Sequence, residues 1–153
     1  MPRSTAMGLD ALADIVEQEK ISGYFGSIIE NFTLLDPKFR TAVEVSGGNA
    51  LFHVVVDNDD TAAKLMKKLE DKKLGRVTFM PLSKLRVPDK IDYPDSNDVV
   101  PIMKRCIKFN PSVKPAMTMI FGRKLLAKNM EAASLWSKVS GSRVGGRVAV
   151  RGE

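Results

Sequence analysis

With 153 residues, 44% of them apolar and 27% charged, the chain is long and hydrophobic enough for one domain or two small lobes, which excludes a wholly disordered polypeptide. The single cysteine, Cys106, excludes a disulfide scaffold and a Cys-based zinc site, and no apolar run approaches the ~18 residues of a membrane span. The net charge of +6 permits a basic face for phosphates or an acidic partner.

Taken in chain order, Leu9 to Lys20 has helical spacing, with Leu9, Leu12, Ile15 and Val16 on one stripe. Gly23 to Ile29 reads as a strand loosened by glycines. Asp36-Pro37 opens a second helix through Val45, with proline in the first turn, where its missing N–H costs nothing, and Gly47-Gly48 stops it. Leu51 to Val56 is a nearly continuous apolar run, the pattern of a strand covered on both faces. Asp59 and Asp60 are expected to cap the next helix, in which Ala62, Leu65, Met66 and Leu69 form the buried stripe and Lys64, Lys67, Lys68 and Lys72 point outward. Gly75 ends it, and Val77 to Leu82 supplies another strand. Strand, helix and strand then make a parallel, right-handed βαβ crossover.

Residues 83–97, with Pro88, Pro94 and several aspartates, read as a connecting loop. Asp98 to Lys104 and Ser112 to Phe121 are short helix candidates, Arg123 to Lys128 a strand, and Glu131 to Lys138 a final helix. From Val139 onward there is no apolar stripe, so that stretch is a weak strand or nothing. The expected fold class is mixed α/β (α+β), two-lobed around a βαβ core.

Working groups for catalysis are sparse. His53 is the only histidine and sits in the most apolar predicted strand, which favours a structural role over a general base. Asp57-Asn58-Asp59-Asp60 resembles the start of a calcium loop but has Ala62 where glycine is needed and Lys68 where glutamate is needed, so it reads as a helix cap. Neither Gly47-Gly48 nor Gly145-Gly146 belongs to a phosphate-binding glycine pattern. The expectation is therefore no enzyme, with no catalytic, cofactor or metal residues in this chain.

The stretch Thr41 to Asp57, containing Gly48-Asn49 and Leu51-Phe52, resembles the hinge domain of structural-maintenance-of-chromosomes (SMC) proteins. So does Asp60-Thr61-Ala62-Ala63-Lys64-Leu65-Met66, followed by Gly75-Arg76-Val77-Thr78-Phe79-Met80-Pro81-Leu82. Gly23-Tyr24-Phe25-Gly26 fits the same family, and the likeness continues through Phe121-Gly122; Gly48-Asn49-x-Leu51-Phe52 and Phe79-Met80-Pro81-Leu82-x-Lys84-Leu85 look most like the third, cohesin-type subunit. The family-matching structural glycines are Gly23, Gly26, Gly48, Gly75 and Gly122.

The resemblance implies a module that pairs with the hinge of the other cohesin-type SMC subunit in sister-chromatid cohesion, in the nucleus and on chromosomes, away from membranes. ATP and Mg would belong to head domains of a longer parent protein. It also implies contact with DNA through basic surface, for which the candidates are Lys64, Lys67, Lys68, Lys72, Lys73, Arg76, Lys104, Arg105, Lys108 and Lys124. The expected organisation is a lead-in helix over 1–20, a first lobe over 21–85, an inter-lobe loop over 86–97, an incomplete second lobe over 98–136, and a Gly/Arg/Val tail over 137–153. That tail departs from the family pattern, and we read it as a frame or splice difference near Leu135. Two other functional readings compete with pairing: a stand-alone nucleic-acid-binding module and a small α/β enzyme.

Overall fold

A computed structural model describes residues 2–87, 91, 93, 99–127 and 148–150. The chain divides into two compact units, one of residues 1–31 and 49–86, the other of residues 32–48 and 87–153.

Unit 1 is built on a three-stranded sheet in the order β1-β3-β4. Strand β1 (Tyr24–Ser27) runs antiparallel to β3 (Val54–Val56), and β3 runs parallel to β4 (Phe79–Pro81), pairing Val54 with Phe79 and Val56 with Pro81. Helix α1 (Arg3–Glu19) and helix α3 (Asp59–Lys72) cover one face. There Leu12 and Ile15 meet Val54, Val56, Ala62, Leu65 and Leu69 in one buried cluster. Val55, whose side chain alternates to the opposite face, is fully buried as well. The predicted parallel β3–α3–β4 unit is thus present.

Local chemistry refines its ends. Leu51 and Phe52 lie in a 3-10 turn, Gly48–Phe52, so the strand is only Val54–Val56. The N-cap of α3 is Asn58, whose Oδ1 accepts from Thr61 N at 2.9 Å; Asp59 and Asp60 fall in the first turn instead, where their charge suits the dipole. The helix ends on Lys73 in the left-handed conformation (φ 52°), two residues before Gly75. Met66 is 43% exposed, a correction to its predicted place in the buried stripe: α3 turns only Ala62, Leu65 and Leu69 inward.

Helix α1 begins six residues earlier than its apolar stripe suggests. Its added turns cross the segment before β4, where Arg76 N donates to Ser4 O at 3.3 Å. A Cβ on Gly8 would lie 2.6 Å from Val77 Cγ2, and one on Gly75 would lie 2.4 Å from Ser4 O.

Unit 2 includes residues 32–48, which sequence reading assigns to the first lobe. The physical reason is long-range pairing: β2 (Phe32–Leu34) is antiparallel to β6 (Ile107–Phe109), with Thr33 opposite Lys108. Asp36 caps the following turn through Lys38 N at 2.9 Å, and helix α2 (Arg40–Gly47) continues it, burying Ala42 and Val43. A second sheet, β5-β7-β8, joins β5 (Val99–Pro101), β7 (Leu125–Ala127) and β8 (Val148–Val150). Helices α4 (Ile102–Arg105) and α5 (Lys114–Phe121) complete the described part, with Ile102, Cys106, Met117 and Phe121 fully buried. Phe32 and Phe121 meet edge to face at 5.7 Å.

Two predicted elements change here. Where a helix was expected over 98–104, the described residues from Val99 on form a strand followed by a single helical turn, and β6 has no counterpart in the sequence reading. The tail supplies β8, parallel to β7 with Leu126 opposite Ala149. The predicted helix over 131–138 and most of the loop over 86–97 lie outside the described residues.

Candidate interaction surfaces

The two units differ sharply in charge. Unit 1 holds ten basic and ten acidic side chains, whereas unit 2 holds fourteen and eight, so the entire excess of +6 belongs to unit 2. The basic residues proposed on α3 sit among acids. Lys64, Lys67, Lys68 and Lys72 share the helix with Asp59, Asp60, Glu70 and Asp71, and its formal charge is zero. Lys64, Lys67 and Lys72 are exposed. Lys68 is half-buried and bonds Glu19, and that hydrogen bond holds the Glu19 carboxyl below its ordinary range.

Lys104, Arg105 and Lys108 are exposed on unit 2, the first over the Tyr93 ring at 5.0 Å. The Tyr93 hydroxyl donates to Gly122 O, and burial raises its pKa. Lys124 is half-buried and donates to Ser46 O near the end of α2, where a cation suits the helix dipole. It therefore also serves the fold of unit 2.

The glycines have distinct surroundings. Gly23 (φ 84°) faces the Asp57 carboxylate, Gly26 (φ 95°) faces Glu30, and Gly75 (φ 107°) faces the backbone of α1. Gly48 has open space where a Cβ would stand, and at Gly122 a Cβ would crowd Thr118 and Ile91.

Unit 1 carries a groove of about 700 Å³ whose lining includes Thr5, Asn49, Phe52, His53, Met66, Glu70, Lys73, Arg76 and Val77. His53 is thus a groove residue, outside the strand where the sequence placed it. Its imidazole pKa is lowered by burial. Sequence reasoning missed the groove because its lining comes from four separate segments, none with a motif.

Both units leave large apolar side chains in solvent: Met7, Phe25 of β1, Ile29 and Met66 in unit 1, and Leu35, Val45 and Met119 in unit 2, Val45 being 73% exposed. Among the described residues no helix is long and apolar enough to cross a membrane.

Residues 21–136 match the family described as the SMC proteins flexible hinge domain. The chain is 38% identical over 141 residues to a Cryptococcus neoformans protein named Urease accessory protein 2, covering 92% of this chain and 11% of that one. It is also 38% identical over 137 residues to Structural maintenance of chromosomes protein 3 of Arabidopsis thaliana, covering 90% and 11%. This chain therefore spans about a tenth of the length of the curated relatives it matches. Among solved structures, "Folded elbow of cohesin" superposes with a TM-score of 0.77 at 34% identity, covering 91% of this chain and 20% of that one. On the family match and these likenesses, the chain belongs to the SMC hinge domain family and is similar to the cohesin-type third subunit.

Proposed function

We propose that this segment is the dimerisation hinge of a cohesin-type SMC subunit, pairing with the hinge of the other SMC subunit on chromosomes in the nucleus. One observation of the structure carries the reading beyond family membership. Each unit builds a buried apolar core yet leaves some large apolar side chains in solvent, Met7, Phe25, Ile29 and Met66 on one and Leu35, Val45 and Met119 on the other. ATP hydrolysis is assigned to head domains of the longer parent, and this segment needs no cofactor of its own. The name of the Cryptococcus relative describes a protein of which nine-tenths lies outside the match, so it adds no function to this segment.

The test is to mix the chain with the hinge of the other cohesin-type subunit and measure mass by light scattering. A one-to-one complex is expected, weakened by Val45→Glu and by Phe25→Glu. Monomers of both at high micromolar concentration would refute the pairing.

We propose DNA contact as a second activity of the same segment, through the basic residues of unit 2. Lys104, Arg105 and Lys108 lie in the half that owns the whole charge excess, while α3 is neutral. Affinity for duplex DNA should fall steeply with salt, because phosphate contacts release counterions. Charge reversal at Lys104, Arg105 and Lys108 should weaken it more than reversal at Lys64, Lys67 and Lys72. Salt-independent binding, or the opposite ranking, would sink this reading.

A further inference from the structure

The groove of unit 1 combines enclosed space with mixed chemistry. Its volume of about 700 Å³ falls within the roughly 300–1,000 Å³ usual for ligand sites. Phe52, Leu69 and Val77 supply apolar lining, and Met66 adds an exposed thioether that adapts to differently shaped apolar groups.

The polar lining is cationic. Lys73 and Arg76 are exposed and have no ion-pair partner among the described residues, and Glu70 is the one carboxylate in the lining. This positive site lies in a unit whose charges balance overall. Burial favours the neutral imidazole at His53, so the charge of the groove rests on Lys73 and Arg76.

The arrangement is also built in advance of any ligand. Gly75 approaches Ser4 and Gly8 too closely for a side chain, and Arg76 N bonds Ser4 O, which fixes the backbone under the two cations against the first turns of α1. A basic ligand would meet like charge, and a purely apolar one would cover part of the lining while leaving both cations without a partner.

We propose that this groove docks an acidic peptide segment of a partner protein, with one bulky apolar side chain seated against Phe52, Met66 and Val77 and its carboxylates facing Lys73 and Arg76. This activity is independent of hinge pairing and requires no second SMC chain.

The experiment titrates the isotopically labelled full chain with three capped peptides, DELFEE, KKLFKK and DEAAEE, and follows backbone amide shifts. DELFEE should move the amides of Phe52, His53, Met66, Lys73 and Arg76. The double variant Lys73→Gln/Arg76→Gln should weaken it by about tenfold, the equivalent of about 1.4 kcal/mol. Met66→Ser, at an exposed position, gives a second reading and should also weaken it, and thermal melts of both variants report the fold. An equal response to KKLFKK or to DEAAEE overturns the proposal. So does an oligodeoxythymidine that moves the same amides when DELFEE does not.

Discussion

Two glycines of unit 1 offer a measurement of how tightly α1 crosses the segment before β4. Gly26 and Gly75 have similar backbone angles, φ 95° and 107°, so alanine at either costs about 1–2 kcal/mol of conformational strain. Their surroundings differ. The nearest atom to an added Cβ at Gly26 is Glu30 Oε2 at 2.6 Å, the end of a side chain that can swing away. Its departure breaks the bond from Ser27 N, at 3.0 Å, for about 1 kcal/mol. In a Glu30→Ala background that contribution is already gone, and Gly26→Ala should cost only the strain.

At Gly75 the nearest atoms are Ser4 O at 2.4 Å and Gly8 N at 2.8 Å, both backbone of a helix that cannot yield locally. Pushing the helix away adds the cost of overpacking, about 1–3 kcal/mol, for a total of about 2–5 kcal/mol. Urea unfolding followed through the amide signals of unit 1, with the slope m unchanged, reads both values. If Gly75→Ala costs no more than Gly26→Ala in the Glu30→Ala background, α1 does not cross residues 75–76 as described.

Two further outcomes are expected. Asn58→Ala should cost about 1 kcal/mol by removing the cap on Thr61 N, while Asp59→Ala should cost only a few tenths, and urea midpoints will rank them. Burial lowers the His53 pKa from its ordinary 6.5, so the folded chain takes up that proton less readily than the unfolded one. The contribution of His53 to stability is therefore intact above pH 6.5 and lost as pH falls from there through its lowered folded value. His53→Gln should flatten that part of the pH profile, and an unchanged profile would rule the histidine out as its source.

Local patterns carried much of the fold into view. The β3–α3–β4 unit was legible because its strands and helix are contiguous and the buried residues Leu65 and Leu69 follow one helical stripe. The failures share a cause. Residues 32–48 join unit 2 through pairing between β2 and β6, partners far apart in sequence that leave no trace in either segment alone. The start of α1 was hidden because Gly8 looks like a helix breaker until its contact with Val77 is seen. For the surfaces, the net charge of +6 permitted a basic face, but the sequence alone did not show that two units interleaved along the chain divide that charge unequally. The sequence reading credited α3 with a basic face that its own aspartates and glutamate neutralise.

That interleaving has a consequence for how the chain is made. Unit 1 is complete once residue 86 exists, and its long-range strand pairing, between β1, β3 and β4, lies wholly within that length. Residues 32–48 emerge early yet must wait for β6, at residues 107–109, before β2 has its partner. During N-to-C synthesis the first unit can therefore close around an unsatisfied insert, which is then a waiting template for the second. A chain stalled once residue 90 has cleared the ribosomal exit tunnel should already protect the amides of β3 and α3 from exchange while leaving β2 open.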